Sequence, residues 1–122
     1  MSPKDSPPSG RPTRAEIDVG AFQNNLRLAA LLGGDRREVM AVVKADAYGH
    51  GATPIAKIAE AEGVHSLGVA TLDEGVELRH HDVRAPVIIL SPTLPSEARR
   101  IVQHGLVPTV GNADAARALS EA

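Results

Sequence analysis

VMAVVKADAYGHGATPIAKIAEAEGVHSLGVA, residues 39–70, spells out one strand–turn–helix–strand cycle. The runs VMAVV (39–43) and SLGVA (66–70) are short and almost continuously apolar. That is the pattern of strands covered on both faces in a parallel sheet, and it lacks the alternation of a half-wet antiparallel one. Between them, Thr53-Pro54 predicts a helix N-cap followed by proline at the first helical position. Ile55, Ile58 and Ala59 then mark one face, and Gly63 supplies the stop.

The same cycle repeats downstream. VIIL (87–90) and VPTV (107–110) read as further strands. Thr71-Leu72-Asp73-Glu74 has the form of a capping box, in which threonine and glutamate each satisfy a backbone amide of the other. Pro95 opens a third helix that Gly105 closes, and Asn112 caps a fourth containing Ala113, Ala116 and Leu119. Upstream, RAEID (14–18) alternates as a short strand would. Asp18 is then positioned as an N-cap for a helix carrying Phe22, Leu26 and Ala29 or Ala30, which Gly33-Gly34 ends. Strands starting near 39, 66, 87 and 107 give roughly 20–28 residues per strand–helix unit, the repeat of an α/β sheet or barrel. Four units are half of an eight-unit barrel, and the last helix runs into Ala122 without a cap. The expected fold is therefore the first half of a TIM-like (β/α)8 barrel, truncated after about four βα units.

Composition narrows the chemistry. The 122 residues contain no cysteine, which excludes disulfides, thiolate catalysis and zinc–thiolate sites. A formal net charge of −2 gives no electrostatic reason to expect nucleic acid or an anionic membrane as partner. No apolar run approaches the ~18–20 residues of a membrane span. Residues 1–12 are rich in proline and serine, lack the apolar core of a secretory signal and read as a disordered leader. A cytoplasmic protein is the expectation.

Lys44 follows Val43 directly, at the carboxyl end of the first strand of the repeat, the end where parallel α/β folds place their chemistry. A lysine snorkelling from a strand end into solvent is the plain alternative. A surface lysine, however, does not require Tyr48, Gly49, His50 and Gly51 in the same turn. Glycines let the backbone turn sharply and approach a ligand, and the tyrosine offers a hydroxyl to a phosphate or carboxylate. An amine partly withdrawn from water is also the nucleophile that imine formation needs. His50 suits a structural hydrogen bond better than catalysis, and Asp46 and Asp73 suit caps or loop bonds. His80 and His81 are adjacent, so a helix points them about 100° apart, and no spacing suggests a metal. No phosphate-loop motif occurs.

AVVKADAYGHG (41–51) resembles the pyridoxal-phosphate attachment motif of the alanine racemase family. RAEIDVGAFQNN upstream, and GVATLDEGVELR (68–79) and VIILSP (87–92) downstream, resemble the same family's N-terminal barrel domain, so the likeness covers roughly residues 12–122. It implies the fold-type III barrel of pyridoxal-phosphate enzymes, with residues 13–122 a partial barrel domain. The remaining barrel half and a β-rich domain would lie outside the chain. It further implies that Lys44 carries pyridoxal 5′-phosphate as an internal Schiff base and is catalytic, that Tyr48 bonds the cofactor phosphate, and that Leu90 lines the pocket near the ring. The implied reaction interconverts L- and D-alanine for peptidoglycan precursors, in a homodimer whose partner subunit supplies a second, tyrosine base. The chain alone is expected to be inactive. A broad-specificity or serine racemase of the same fold, and a non-catalytic cofactor-binding remnant, stand as alternatives.

Overall fold

Four strands hydrogen-bond in parallel in chain order, β1-β2-β3-β4, in a computed structural model that describes residues 10, 12–34 and 38–122. The chain runs α1 (Val19–Gly33), β1 (Met40–Val42), a left-handed helical turn α2 (Lys44–Gly49) and α3 (Ala52–Ala61). It continues through β2 (Ser66–Val69), α4 (Leu72–His80) and β3 (Val87–Pro92). A 3-10 turn (Pro95–Glu97), α5 (Ala98–Gln103), β4 (Val107–Thr109) and α6 (Ala113–Glu121) complete it. Register pairs Ala41 with Leu67 and Leu67 with Val87, so one layer of side chains crosses the first three strands.

Side-chain alternation sorts the two faces. Ala41, Val43, Leu67, Val69, Val87 and Ile89 point to one side and are buried, with Ile55, Ala56 and Ala59 of α3, Leu72 and Val76 of α4, and Ile101 of α5 packed over them. All the helices that contribute to this core lie on that face. Sequential parallel order with every crossover on one side is the singly wound arrangement of neighbouring barrel units, because right-handed crossovers in constant order never change sides. The expected half of a (β/α)8 barrel is what the fold shows. Met40, Val42, Leu90 and Val107 occupy the opposite, concave face and remain 40%, 40%, 39% and 42% exposed.

The helix ends follow local chemistry, with some shifts from expectation. Asp18 caps α1 by accepting from the Ala21 amide (2.9 Å), and Asn112 caps α6 by accepting from Ala115 (2.8 Å). Thr71 accepts from Glu74 N (3.2 Å), but the Glu74 carboxylate reaches Ala70 N (3.1 Å), one residue earlier than a capping box requires. α3 begins two residues earlier than Thr53-Pro54 suggested, with Gly51 as its cap, because the Asp46 carboxylate accepts from Ala52 N (2.7 Å) and satisfies that end from outside the helix. Pro95 opens a 3-10 turn before α5, with Glu97 accepting from Leu94 N (2.9 Å). Residues 14–18 form no strand. No neighbouring strand among the described residues offers them a ladder, and alternation without a partner does not hold an extended chain. The expected leader over 1–12 falls, apart from Gly10 and Pro12, outside the described residues. No described helix is long and apolar enough to cross a membrane.

At the amino-terminal end of the strands, Arg79 acts as a knot. Its guanidinium donates to the carbonyls of Val83 (2.8 Å), Ala85 (2.9 Å), His104 (3.0 Å) and Gly105 (3.0 Å), joining the loops that enter β3 and β4. Burial lowers its pKa from the ordinary arginine value, with Glu60 opposing that shift. The Glu60 carboxylate accepts from Arg84 N (2.6 Å) and from Ala85 N, gripping the same loop from α3.

Replacing Arg79 by alanine leaves several carbonyls short of a donor and is expected to lower unfolding free energy by about 2–3 kcal/mol. Arg79→Lys should recover only part, since an ammonium lacks the planar fork. Urea unfolding measures both, and a loss under ~0.5 kcal/mol would mean water replaces the guanidinium freely. At the sides of the sheet, β1 and β4 each present a free edge among the described residues, beside an apolar concave face. Each large apolar side chain left facing water forgoes about 1.5–3 kcal/mol, and open parallel edges recruit other strands. The 122-residue polypeptide is expected to self-associate in sedimentation velocity. A monodisperse, cooperatively melting monomer would overturn this.

Candidate functional site

The site begins where β1 runs out. Val43 N still bonds Gly68 O (2.8 Å), holding the strand end against β2, and Val43 is buried on the helix side. Lys44, one residue on, stands half-buried at the carboxyl end of β1, where the chain leaves the strand. Among the described residues it makes no ion pair.

The turn after Lys44 is strained. Ala45, Asp46, Ala47 and Tyr48 all adopt left-handed helical angles, φ 51–55° and ψ 40–48°. Only asparagine, aspartate and glycine visit this region easily, and for the other residues it costs roughly 1–2 kcal/mol each. The surroundings enforce it. Ala47 is buried and its amide donates to Val43 O (2.9 Å), while Gly51 N donates to Asp46 O (2.9 Å). His50 Nδ1 donates to the carbonyls of Ala47 (3.1 Å) and Tyr48 (3.2 Å), which assigns the proton of a neutral ring to Nδ1. The structural role expected of His50 is the one it has. Gly49 and Gly51 take φ values of +84° and +92°, which explains the paired glycines around the histidine.

The turn leaves Tyr48 at the rim, 62% exposed. Its flank, together with Val42, Ala47, His50, Phe22 and Asn25, borders a cleft of about 400 Å³ between α1 and the turn. Lys44 and Leu90 are not in that wall. Leu90 belongs to the concave face, where it and Met40 converge on Gly68. A methyl group on Gly68 would come within 2.9 Å of Met40 Sδ and 3.2 Å of Leu90 Cδ1. Sequence reasoning missed Gly68, although a glycine inside an apolar strand signals a close approach. The missing side chain lets Met40 and Leu90 close over the buried Gly68 backbone.

The other polar candidates have structural partners. Asp46 bonds the α3 amino terminus, and Asp73 pairs with Arg100 (2.9 Å) on the surface. His81 Nδ1 faces its own helix at Glu77 O (3.0 Å), and His80 meets His104 edge-on at 5.8 Å. No group of three or more metal-ligating side chains occurs among the described residues.

Against known proteins, the family described as "Alanine racemase, N-terminal domain" matches residues 17–122. Alanine racemase 1 of Caldanaerobacter subterraneus subsp. tengcongensis is 45% identical over 100 residues, covering 82% of this chain and 26% of that protein. The solved alanine racemase of Bacillus anthracis with bound L-Ala-P superposes with a TM-score of 0.80 at 36% identity, over 85% of this chain and 27% of that one. Histidine racemase from Leuconostoc mesenteroides subsp. sake gives a TM-score of 0.76 at 28% identity, over 84% and 27%. The chain thus spans little more than a quarter of the length of the relatives it matches.

Proposed function

The chain belongs to the alanine racemase N-terminal-domain family, and on that premise we propose that it supplies the lysine and part of the pocket of a pyridoxal-5′-phosphate-dependent alanine racemase. One observation carries the reading: a half-buried lysine at a strand mouth with a strained turn behind it. These residues fit a flat aldehyde-bearing ring. The amine can hold the aldehyde, the partly exposed Leu90 offers an apolar wall, and the exposed Tyr48 hydroxyl can meet a phosphate.

Bound there, pyridoxal phosphate would supply the electron sink that makes an α-proton removable. The protein's part is position. Lys44 Nζ would hold the cofactor and, as the released amine, would take the α-proton from one face of the amino acid. The Tyr48 hydroxyl would donate to the cofactor phosphate. The strand end fixes where the amine begins, which matters because a misplaced base loses most of its effective concentration. Inversion also requires a proton donor on the opposite face. Tyr48 is the only tyrosine of the sequence and is assigned here to the phosphate; the family resemblance implies that the second acid–base group is a tyrosine of the partner subunit in a cytoplasmic homodimer. A second reading, a racemase for another amino acid, is favoured by the likeness to the Leuconostoc enzyme. It assigns Lys44 the same role and differs only in the side-chain pocket.

Three measurements test this. Borohydride reduction with pyridoxal phosphate, followed by peptide mapping, should place the label on Lys44, and preferential labelling of Lys57 or Lys4 would sink the assignment. Tyr48→Phe should weaken cofactor binding roughly tenfold to a hundredfold, as expected for one hydrogen bond to a charged group, with a smaller effect on proton transfer. An unchanged cofactor Kd with collapsed turnover would reverse that role. Residues 1–122 alone should show no D-alanine formation in a coupled assay, and measurable turnover would place the second base inside this chain.

A further inference from the structure

The left-handed turn behind Lys44 needs something to hold it, and its bonds are unequal. Ala47 N to Val43 O and the His50 Nδ1 contacts are internal, joining residues within a few positions of one another. Asp46 alone connects the turn to a separate packed element through both backbone and side chain. Its carbonyl accepts from Gly51 N (2.9 Å) and its Oδ1 from Ala52 N (2.7 Å). Ala52 begins α3, whose Ile55, Ala56 and Ala59 are buried in the core. Gly51, the cap residue of that helix, has no side chain to satisfy the free amides, and no side-chain bond caps it from that position. Asp46 therefore does two things at once: it closes the amino end of α3 and pins a strained segment to it. Aspartate is also the one residue of the four that tolerates φ near +55° through its own chemistry.

We propose that Asp46 is a positioning residue for the Lys44 amine: its carboxylate bond to Ala52 N holds the left-handed turn that fixes where the lysine leaves β1. The consequence for chemistry rests on the reading of Lys44 as the reacting amine. A cap that served stability alone would be indifferent to the amine. A clamp on the turn makes the lysine's reactivity depend on an acceptor two residues away that never touches substrate. The required feature is an acceptor oxygen of the right reach on a side chain that accepts left-handed angles, so asparagine should substitute for aspartate and alanine should not.

The test uses the whole chain as wild type, Asp46→Ala and Asp46→Asn, with two readouts. In the first, pyridoxal phosphate and borohydride label the lysines, and the ratio of label at Lys44 to label at the exposed Lys57 is read by peptide mapping. The second is backbone hydrogen exchange. In Asp46→Ala the labelling ratio should fall about tenfold, the scale of one lost carboxylate hydrogen bond. Exchange at Ala47, Gly51 and Ala52 should speed by a similar factor while Leu67 and Val69 keep their protection. Asp46→Asn should stay near wild type in both. Asp46→Ala with an unchanged ratio, even with lower overall stability, overturns the proposal, as does an asparagine variant that behaves like alanine. If Asp46→Ala fails to fold, Asp46→Gly decides, since glycine keeps the left-handed angles but lacks the acceptor: a fallen ratio supports the clamp and a wild-type ratio refutes it. If wild type shows no preference for Lys44, the reading of the lysine fails instead. The exchange measurement then still decides whether Asp46 holds the turn.

Discussion

Parallel pairing in strict chain order is the constraint on which the rest of the molecule depends. The bond from Val43 N to Gly68 O, and the register that sets Ala41 beside Leu67 and Leu67 beside Val87, add each strand to the same growing edge. Right-handed crossovers then have no choice of side. The helices collect on one face, where Val43, Val69 and Ile89 bury themselves against α3, α4 and α5. The other face receives none of these core-forming helices, and every strand points its carboxyl end to the same mouth. The location of Lys44 is set by that geometry before any chemistry is considered.

The two ends of the sheet use hydrogen bonding for opposite purposes. At the amino-terminal end, Arg79 commits its whole fork to four loop carbonyls and Glu60 binds two loop amides, so the loops entering β3 and β4 are tied to α3 and α4. At the carboxyl-terminal end, bonds of similar length hold a segment in angles it would not choose, from Ala45 to Tyr48. Strain that persists is strain the surroundings over-determine, and it concentrates where side chains must be aimed. Stability is built at one end and placement at the other, the division expected of barrel folds.

Gly68 and Leu90 show how a missing side chain can shape a site. A β-carbon at residue 68 would press on Met40 and Leu90, so the glycine sets how closely the side chains of β1 and β3 approach across β2. Exposure of Met40, Val42 and Val107 on the same surface gives it the apolar character suited to a flat ring or to the opposing side chains of further barrel strands.

Much of this was legible in the sequence, because its signals are local. Continuous apolar runs located the four strands to within a residue or two, and the caps at Asp18, Thr71 and Asn112 lie where short polar side chains precede a helical pattern. The placement of Lys44 at a strand mouth, with a glycine-bounded turn behind it, was equally readable. Other features required the tertiary structure. RAEID alternates like a strand but lacks a partner, and a ladder is a property of two segments. The start of α3 moved because its cap comes from Asp46, six residues before Ala52, and a cap supplied across a turn leaves no trace in the helix's own sequence. The left-handed path of Ala45–Tyr48 contradicts the preference of three of its four residues. Its holding contacts, the burial of Ala47 and the bonds that tie the turn to Val43, Gly51 and Ala52, exist only once β1 and α3 are packed, so the path was decided by the tertiary structure.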